Sequence, residues 1–494
     1  IRYVSDSYRK RKNRIKEVKM KVLFATSEAG PFLRTGGLGD VGAALPLALK
    51  KEKQDVRVIM PLYENINDDF RQTMRFVGSK TVTLGWRQQY AGVFECVYDG
   101  VTYYFIDNEY YFKRSTVYGH YDDGERFSFF SKAVLDVLPL IGFMPEIIHC
   151  NDWQTALIPV YLDAFYRGEQ GYGSIRTVMT IHNIEFQGNM DKCCIRDVFG
   201  IPDEFASRVE YNNCANMLKG GIECADKVTT VSNTYAQEIL NPYYAYGLEH
   251  ILNKRAYKLS GIVNGINTDL FNPAKDKALF ANYTTATAEK AKKENKCGLQ
   301  QMVNLPENAD KPLIGMVTRL TNQKGMDLVM EVIEEILSMD IQMVVIGTGD
   351  WKYETALKEL ARRYGNKLAV IINFSSDIAS KIYAGSDMFL MPSKFEPCGL
   401  SQLIAMRYGS IPIVRETGGL KDTVIPFNPV EKTGRGFTFK TYNAYDMLDA
   451  IRRAVGTYYN KEEWKACMKN AMSGDYSWKA SAKQYIELYK GLIQ

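Results

Sequence analysis

Histidine is scarce in this 494-residue chain. There are four, at positions 120, 149, 182 and 250, and none stands at a metal-site spacing from another. That argues against a histidine-based zinc site. The nine cysteines fall irregularly at 96, 150, 193, 194, 214, 224, 297, 398 and 467, with no Cys-x-x-Cys. An odd count, with several members inside apolar runs, reads as free and mostly buried thiols in a reducing compartment. No uninterrupted apolar stretch is long enough to span a bilayer. A large charge imbalance is missing too. The net charge is +5, but residues 1–19 carry eight basic and two acidic side chains, so the remainder is close to neutral. A near-neutral body gives no reason to propose nucleic acid or an anionic membrane as the main partner. The basic stretch reads as a solvated extension or linker. It lacks the apolar segment of a secretory signal, and Met20 reads as the start of the folded unit.

What is present is a long alternation of strand-like and helix-like segments. Apolar runs at 21–26, 147–150, 177–181 and 227–231 each lead into a loop and an amphipathic pattern. The second half repeats the grammar at 313–318, 343–346, 388–391 and 411–414. Strand–loop–helix repetition predicts parallel sheets with right-handed crossovers, and two such series predict two Rossmann-like domains. The Gly, Asn and Pro punctuation of 260–273 marks the switch between them. The expected domains are 20–262 and 263–475, with a closing helix over 476–494. The Lys-rich stretch 281–300 reads as a polar surface helix. The acidic pairs Asp68-Asp69 and Asp122-Asp123 read as solvated turns rather than metal ligands.

In open α/β sheets, ligands sit at the carboxyl ends of strands. The loops following the strands are therefore the candidate sites. The first is Arg34-Thr35-Gly36-Gly37-Leu38-Gly39-Asp40, where paired glycines and a helix start allow close approach of backbone amides to an anion. A tight turn alone would also explain it. The second, Arg319 to Gly325, places two cations, Arg319 and Lys324, five residues apart between a strand and a helix, which suits a diphosphate. The third, Lys394 to Leu400, sets Glu396 before a helix start that includes Cys398, Gly399 and Leu400. The helix end suits phosphate oxygens and the carboxylate suits sugar hydroxyls, although favourable contact with the helix dipole alone would account for Glu396. Thr417-Gly418-Gly419-Leu420 repeats the first loop's signature. Asp152 with Trp153, and His182 with Asn183, complete the set.

Taken together, these loops resemble those of bacterial-type glycogen and starch synthases, retaining enzymes of glycosyltransferase family 5 with the GT-B fold. The resemblance runs through SEAGPF at 27–32, TGGLGDV at 35–41, HCNDWQTALIPV at 149–160, TIHNIEFQG at 180–188, VNGINTDLFNP at 263–273, TRLTNQKGMDL at 318–328, FEPCGLSQL at 395–403 and ETGGLKDTV at 416–424. It implies two Rossmann-like domains enclosing the donor in a deep cleft, the last helix crossing back to the first domain. It further implies a donor of ADP-glucose, with UDP-glucose as the alternative, and an α-1,4-glucan or maltooligosaccharide acceptor extended at its non-reducing end. No metal or organic cofactor is implied. By resemblance, Arg319 and Lys324 hold the donor diphosphate, and Glu396 and His182 bind the glucosyl hydroxyls. Asp152 lies near the reacting sugar. Arg34, Gly36, Gly37, Asp40, Asn264, Cys398, Gly399, Leu400, Thr417, Gly418 and Gly419 contribute to donor binding.

The family's usual first loop is Lys-Thr-Gly-Gly-Leu, and Arg34 departs from it, keeping the charge but changing reach and geometry. Ile404 stands where wider GT-B families carry a second glutamate. Cytoplasmic localisation is expected, or plastid if the basic stretch is the remnant of a precursor. The rival readings are a glucan phosphorylase, a catalytically silent glucan-binding paralogue, and a scaffold tethered by its basic tail. Phosphorylases are much longer and carry a pyridoxal lysine, and Glu396, Arg319 and Lys324 are all present here, so the synthase reading leads.

Overall fold

The computed structural model describes residues 19–493, and the reading of 1–18 as a solvated extension lies outside them. Twelve strands occupy the first half: β1 Lys21–Ala25, β2 Asp55–Pro61, β3 Arg75–Leu84, β4 Arg87–Tyr98, β5 Val101–Asp107, β6 Ile147–Asn151, β7 Arg176–Ile181, β8 Asn189–Asp191, β9 Glu210–Tyr211, β10 Cys214–Asn216, β11 Lys227–Thr230 and β12 Leu259–Gly261. Six more follow: β13 Leu313–Val317, β14 Gln342–Ile346, β15 Leu368–Ile371, β16 Met388–Met391, β17 Ile411–Arg415 and β18 Phe437–Phe439. The first sheet runs β12-β11-β7-β6-β1-β2-β5-β4-β3, and β8-β10-β9 form a small separate one. The second large sheet runs β15-β14-β13-β16-β17-β18. Contact density divides the chain into two units. Among the described residues, one comprises 19–180, 186–228 and 485–493, and the other 181–185 and 229–484.

The second sheet is wholly parallel in its pairings and has the order 3-2-1-4-5-6 of a doubly wound Rossmann fold. Its central strands are apolar on both faces, as a sheet covered by helices on both sides requires: LIGMV in β13, QMVVI in β14 and MFLM in β16. In the first sheet β1 pairs in parallel with β2 on one side and β6 on the other. The β3–β4–β5 end is antiparallel and half exposed. In each large sheet, then, the chain reverses direction across the sheet beside its first strand: between β1 and β6, and between β13 and β16.

The Lys-rich stretch does form a helix with an exposed face, but its lysines are not all solvated. Helix Ala288–Met302 buries Lys292 and Lys296. The Lys292 ammonium donates to the carbonyls of Ala384, Ser386 and Tyr408 at 2.8–3.1 Å. Lys296 pairs with Asp387 at 2.6 Å and donates to Ala309 O, Lys311 O and Tyr458 Oη. The two lysines tie the helix to the entry of β16, satisfying carbonyls that would otherwise be buried without partners. Asp122-Asp123 is likewise not a solvated turn. Asp122 pairs with Arg114, and Asp123 with the fully buried Arg126, at the start of helix Asp123–Asp136. Among the described residues no cluster of His, Cys, Asp and Glu could hold a metal, and no helix is long and apolar enough to cross a membrane. None of the nine cysteines is in a disulfide; 96, 150, 398 and 467 are buried, and Cys193 is exposed.

Burial lowers the Lys292 pKa to about 7, with Asp387 opposing the shift. The unfolded chain therefore holds a proton that the folded one releases between about pH 7 and the ordinary lysine range. Below pH 7 the burial cost is fully present, and it is relieved as pH rises. The stability of the wild type relative to Lys292→Met should climb with pH above 7, by at most about 1.4 kcal/mol per pH unit. Denaturant midpoints of the two proteins at pH 7 and 9 check this.

Candidate active site

The predicted loops stand at the two reversal points of the sheets. In the first unit, the loop leaving β1 carries Glu28, Arg34 and the Thr35-Gly36-Gly37 turn, and the chain leaving neighbouring β6 carries Asp152 and Trp153. In the second, the loop leaving β13 carries Arg319 and Lys324, and the loop leaving neighbouring β16 carries Glu396 and Cys398-Gly399-Leu400. At such a reversal the two loops turn away to opposite faces, which opens a crevice at the strand ends.

In the first unit the glycine-rich turn is built around Glu28, which is 3 % exposed. Its carboxylate accepts from Thr35 N at 2.6 Å, Thr35 Oγ1 at 2.7 Å, Gly36 N at 3.3 Å and Tyr118 Oη at 2.7 Å. Four donors on one buried carboxylate hold the turn in a single conformation. Helix Gly37–Lys51 starts there, and the amides of Gly37 and Leu38 have no acceptor among the described residues. Arg34, mostly exposed, pairs with Asp40 at 3.1 Å. Burial raises the Asp40 pKa, Arg34 opposes the shift, and Glu28 adds to it. Asp152 leaves β6 with φ 53° and ψ −177°, a conformation that costs a non-glycine residue about 1–3 kcal/mol. Its amide donates to Thr180 O at 2.9 Å. Trp153 packs edge-on against Phe127 and closely against Gly188.

The second unit brings the expected phosphate and sugar groups into direct contact. Lys324 Nζ lies 2.6 Å from Glu396 Oε2, which also accepts from Ser393 Oγ at 3.0 Å. Gly325 (φ 76°) makes this possible, because a Cβ there would collide with the Pro392 carbonyl and drive the two loops apart. Arg319 is exposed, and its guanidinium donates to the Gln323 side chain at 3.2 Å.

The Glu396–Leu400 turn is held from behind by its carbonyls. Gly419 N donates to Glu396 O and Pro397 O, Ser232 Oγ to Pro397 O, and Gln402 Nε2 to Cys398 O and Gly399 O. The amides of Cys398, Gly399 and Leu400 have no acceptor among the described residues. They are three unengaged donors in the turn that carries Glu396, the partner of Lys324, and could serve an anion. Nearby, Asn264 donates its backbone amide to the Cys398 sulfur, and its buried Oδ1 has no donor. An orphaned amide oxygen beside that turn is a spare acceptor for a hydroxyl. By contrast, Thr417 Oγ1 and Gly418 N are engaged by Glu238, and Gly419 N by the turn itself. Ile404 is buried in the core of the second unit.

His182, at the end of β7, keeps a little exposed surface. The protein packed around the ring lowers its pKa to about 4 through burial alone. It is neutral at physiological pH and can exchange hydrogen bonds with a sugar hydroxyl without placing a cation there. A groove of about 660 Å³ elsewhere on the second unit is lined by Glu331, Glu334, Glu335 and Glu359, a charge that repels a nucleotide, and contains none of these residues. Glu28, Ser393, Gln402 and Glu238 were not identified as site residues from sequence. SEAGPF contained Glu28, but nothing local marked its carboxylate as the anchor of the next turn.

The family description "Starch synthase catalytic domain" matches residues 21–254, and "Glycosyl transferases group 1" matches 300–471. With two Rossmann-like units and these strand-end loops, the chain is a GT-B glycosyltransferase. The chain is 51% identical over 478 residues to a glycogen synthase of Clostridium acetobutylicum, covering 96% of this chain and 100% of that one. A glycogen synthase of Geobacillus thermodenitrificans is 50% identical over 477 residues, with 96% and 98% covered. Among solved structures, the catalytic domain of starch synthase IV from Arabidopsis thaliana, bound to ADP and acarbose, superposes with a TM-score of 0.86 at 33% identity, over 96% and 99% of the chains. Sucrose-phosphate synthase from Thermosynechococcus elongatus (TM-score 0.60, 17% identity, 95% and 98% covered) shares the fold. The chain belongs to the glycogen and starch synthase family.

A neutral His182 sets an expectation for pH dependence. The free imidazole of an unfolded chain protonates near pH 6.5 and the folded one only near 4. The stability His182 leaves intact at neutral pH is therefore lost as pH falls through that window, while activity between pH 5.5 and 8 does not follow its titration. Rate profiles of wild type and His182→Asn should differ in height and share one shape. A limb near pH 6.5 that vanishes in the variant would contradict this.

Proposed function

We propose that the chain transfers glucose from ADP-glucose to the non-reducing end of an α-1,4-glucan or maltooligosaccharide, with retention of configuration. The observation that carries the reading is the cradle at the second reversal point. Lys324, Arg319 and the three amides of Cys398–Leu400 offer fixed positive charge and donors, and Glu396 stands within 2.6 Å of the Lys324 ammonium. Cleavage at the anomeric carbon leaves positive charge on the sugar and negative charge on the departing diphosphate. The lysine side of the pair stabilises the second and the carboxylate side the first. The starch synthase IV relative, solved with ADP and acarbose, supports ADP as leaving group and a sugar chain as acceptor.

On this reading residues 20–262 form the acceptor-side domain and 263–475 the donor-side domain, with 476–494 returning to the first. Glu396 and His182 bind the glucosyl hydroxyls, Asp152 lies by the reacting sugar, and Arg34, Asp40, Asn264 and the Gly36-Gly37 amides line the donor. The acceptor hydroxyl attacks on the face the diphosphate leaves, passing its proton to the leaving phosphate, so no protein nucleophile is required. The reaction is placed in the cytoplasm, where free thiols persist.

Incorporation of labelled glucose into glycogen, from ADP-glucose and from UDP-glucose in parallel, tests this. ADP-glucose should be the better donor, and Glu396→Ala should lower kcat by about 10²-fold or more. Incorporation from neither donor, with glucan still bound, would instead identify a silent binding paralogue.

A further inference from the structure

A short helix supports the donor cradle from behind, and its residues carry no role in the reaction as described above. Helix Asn233–Glu238 begins at Ser232, whose Oγ accepts from Tyr235 N and donates to Pro397 O at 2.6 Å. Two residues on, Thr234 donates from N and Oγ1 to the Asp422 carboxylate at 3.0 and 2.5 Å. At its end, the Glu238 carboxylate accepts from Thr417 Oγ1 at 2.8 Å and from Gly418 N at 3.1 Å to each oxygen. The adjacent Gly419 N donates to Glu396 O and Pro397 O, 3.1 Å each. A Cβ on Gly418 or Gly419 would collide with the carbonyls of Glu396 or Cys398, so the two backbones are in direct contact. A displacement of Gly418 is therefore passed to the backbone of Glu396 and Cys398.

Glu238 also decides where an anion can bind. Two helix starts lie side by side, at Gly418 and at Ser401. At the first, the free amide and the threonine hydroxyl are already taken by the Glu238 carboxylate. At the turn before the second, the amides of Cys398, Gly399 and Leu400 have no acceptor among the described residues. An internal carboxylate on the Gly418 amide repels a phosphate from it and leaves the neighbouring amides available.

We infer that Glu238 is a positioning residue for the donor, acting through Thr417, Gly418 and Gly419 to hold the Glu396–Leu400 turn and to reserve its amides for the diphosphate. This inference rests on the donor reading above. It gives the second Thr-Gly-Gly turn a role as a support for the cradle, with its own donors engaged by the protein.

The test uses the full chain with Glu238→Ala, Glu238→Gln and Thr417→Val. It measures ADP affinity by calorimetry, and KM for donor and for glycogen by incorporation. Glu238→Ala should weaken ADP binding and raise donor KM together, each about tenfold, with glycogen KM within about twofold. Glu238→Gln keeps an acceptor for Gly418 N and should recover most of the loss. Thr417→Val, which removes one donor and leaves the carboxylate, should fall between. A merely structural role would lower thermal stability or active fraction and leave both donor constants unmoved. Unchanged or tighter ADP binding in Glu238→Ala and Thr417→Val, with a wild type that binds ADP, would overturn this inference alone. A wild type that fails to bind ADP would overturn the donor reading itself.

Discussion

A doubly wound parallel sheet has one place where two adjacent strands send their following loops to opposite faces, and the candidate site residues of the second unit gather at that place. In the second sheet it lies between β13 and β16. The β13 loop supplies Lys324 and the β16 loop supplies Glu396, and the 2.6 Å pair between them joins the two loops. The rest of the second unit can be understood as support for that pair. Gly325 permits the approach, Ser393 shares the carboxylate, and a row of donors holds the carbonyls behind it. A cation already paired with a carboxylate keeps both side chains ordered.

Each unit also solves one problem with the same device. A Thr-Gly-Gly turn at a helix start exposes amides that attract any anion. In the first unit Glu28 takes the amides of Thr35 and Gly36, and in the second Glu238 takes that of Gly418. Both are internal ligands at fixed positions. They differ in what remains. Gly37 and Leu38 stay open next to Glu28, whereas beside Glu238 the open amides belong to the neighbouring turn.

Much of this was legible in the sequence, because the signals were local. Apolar runs of four to six residues marked the strands, and Arg319, Lys324 and Glu396 all lie in the loops that follow them. The juxtaposition of Lys324 with Glu396, 72 residues apart, was not legible, since it depends on which strands become neighbours. The same limit hid Glu238, whose partners lie about 180 residues away. The Lys-rich helix misled for the opposite reason. Its composition is that of a solvated face, yet Lys292 and Lys296 are consumed by buried carbonyls of the 384–408 region and by Asp387, contacts that no helical period reveals. Asp123 misled likewise, because its partner Arg126 is itself buried.

The central claim is that the cradle recognises the second phosphate of a nucleoside diphosphate. Calorimetric titration of the wild-type chain with ADP and with AMP, at one pH and ionic strength, tests it most directly. On this account Lys324 and the Cys398–Leu400 amides hold the diphosphate, so ADP should bind at least about tenfold more tightly than AMP. Equal affinities would contradict it, and would mean that the pair and the open amides serve something other than the leaving diphosphate.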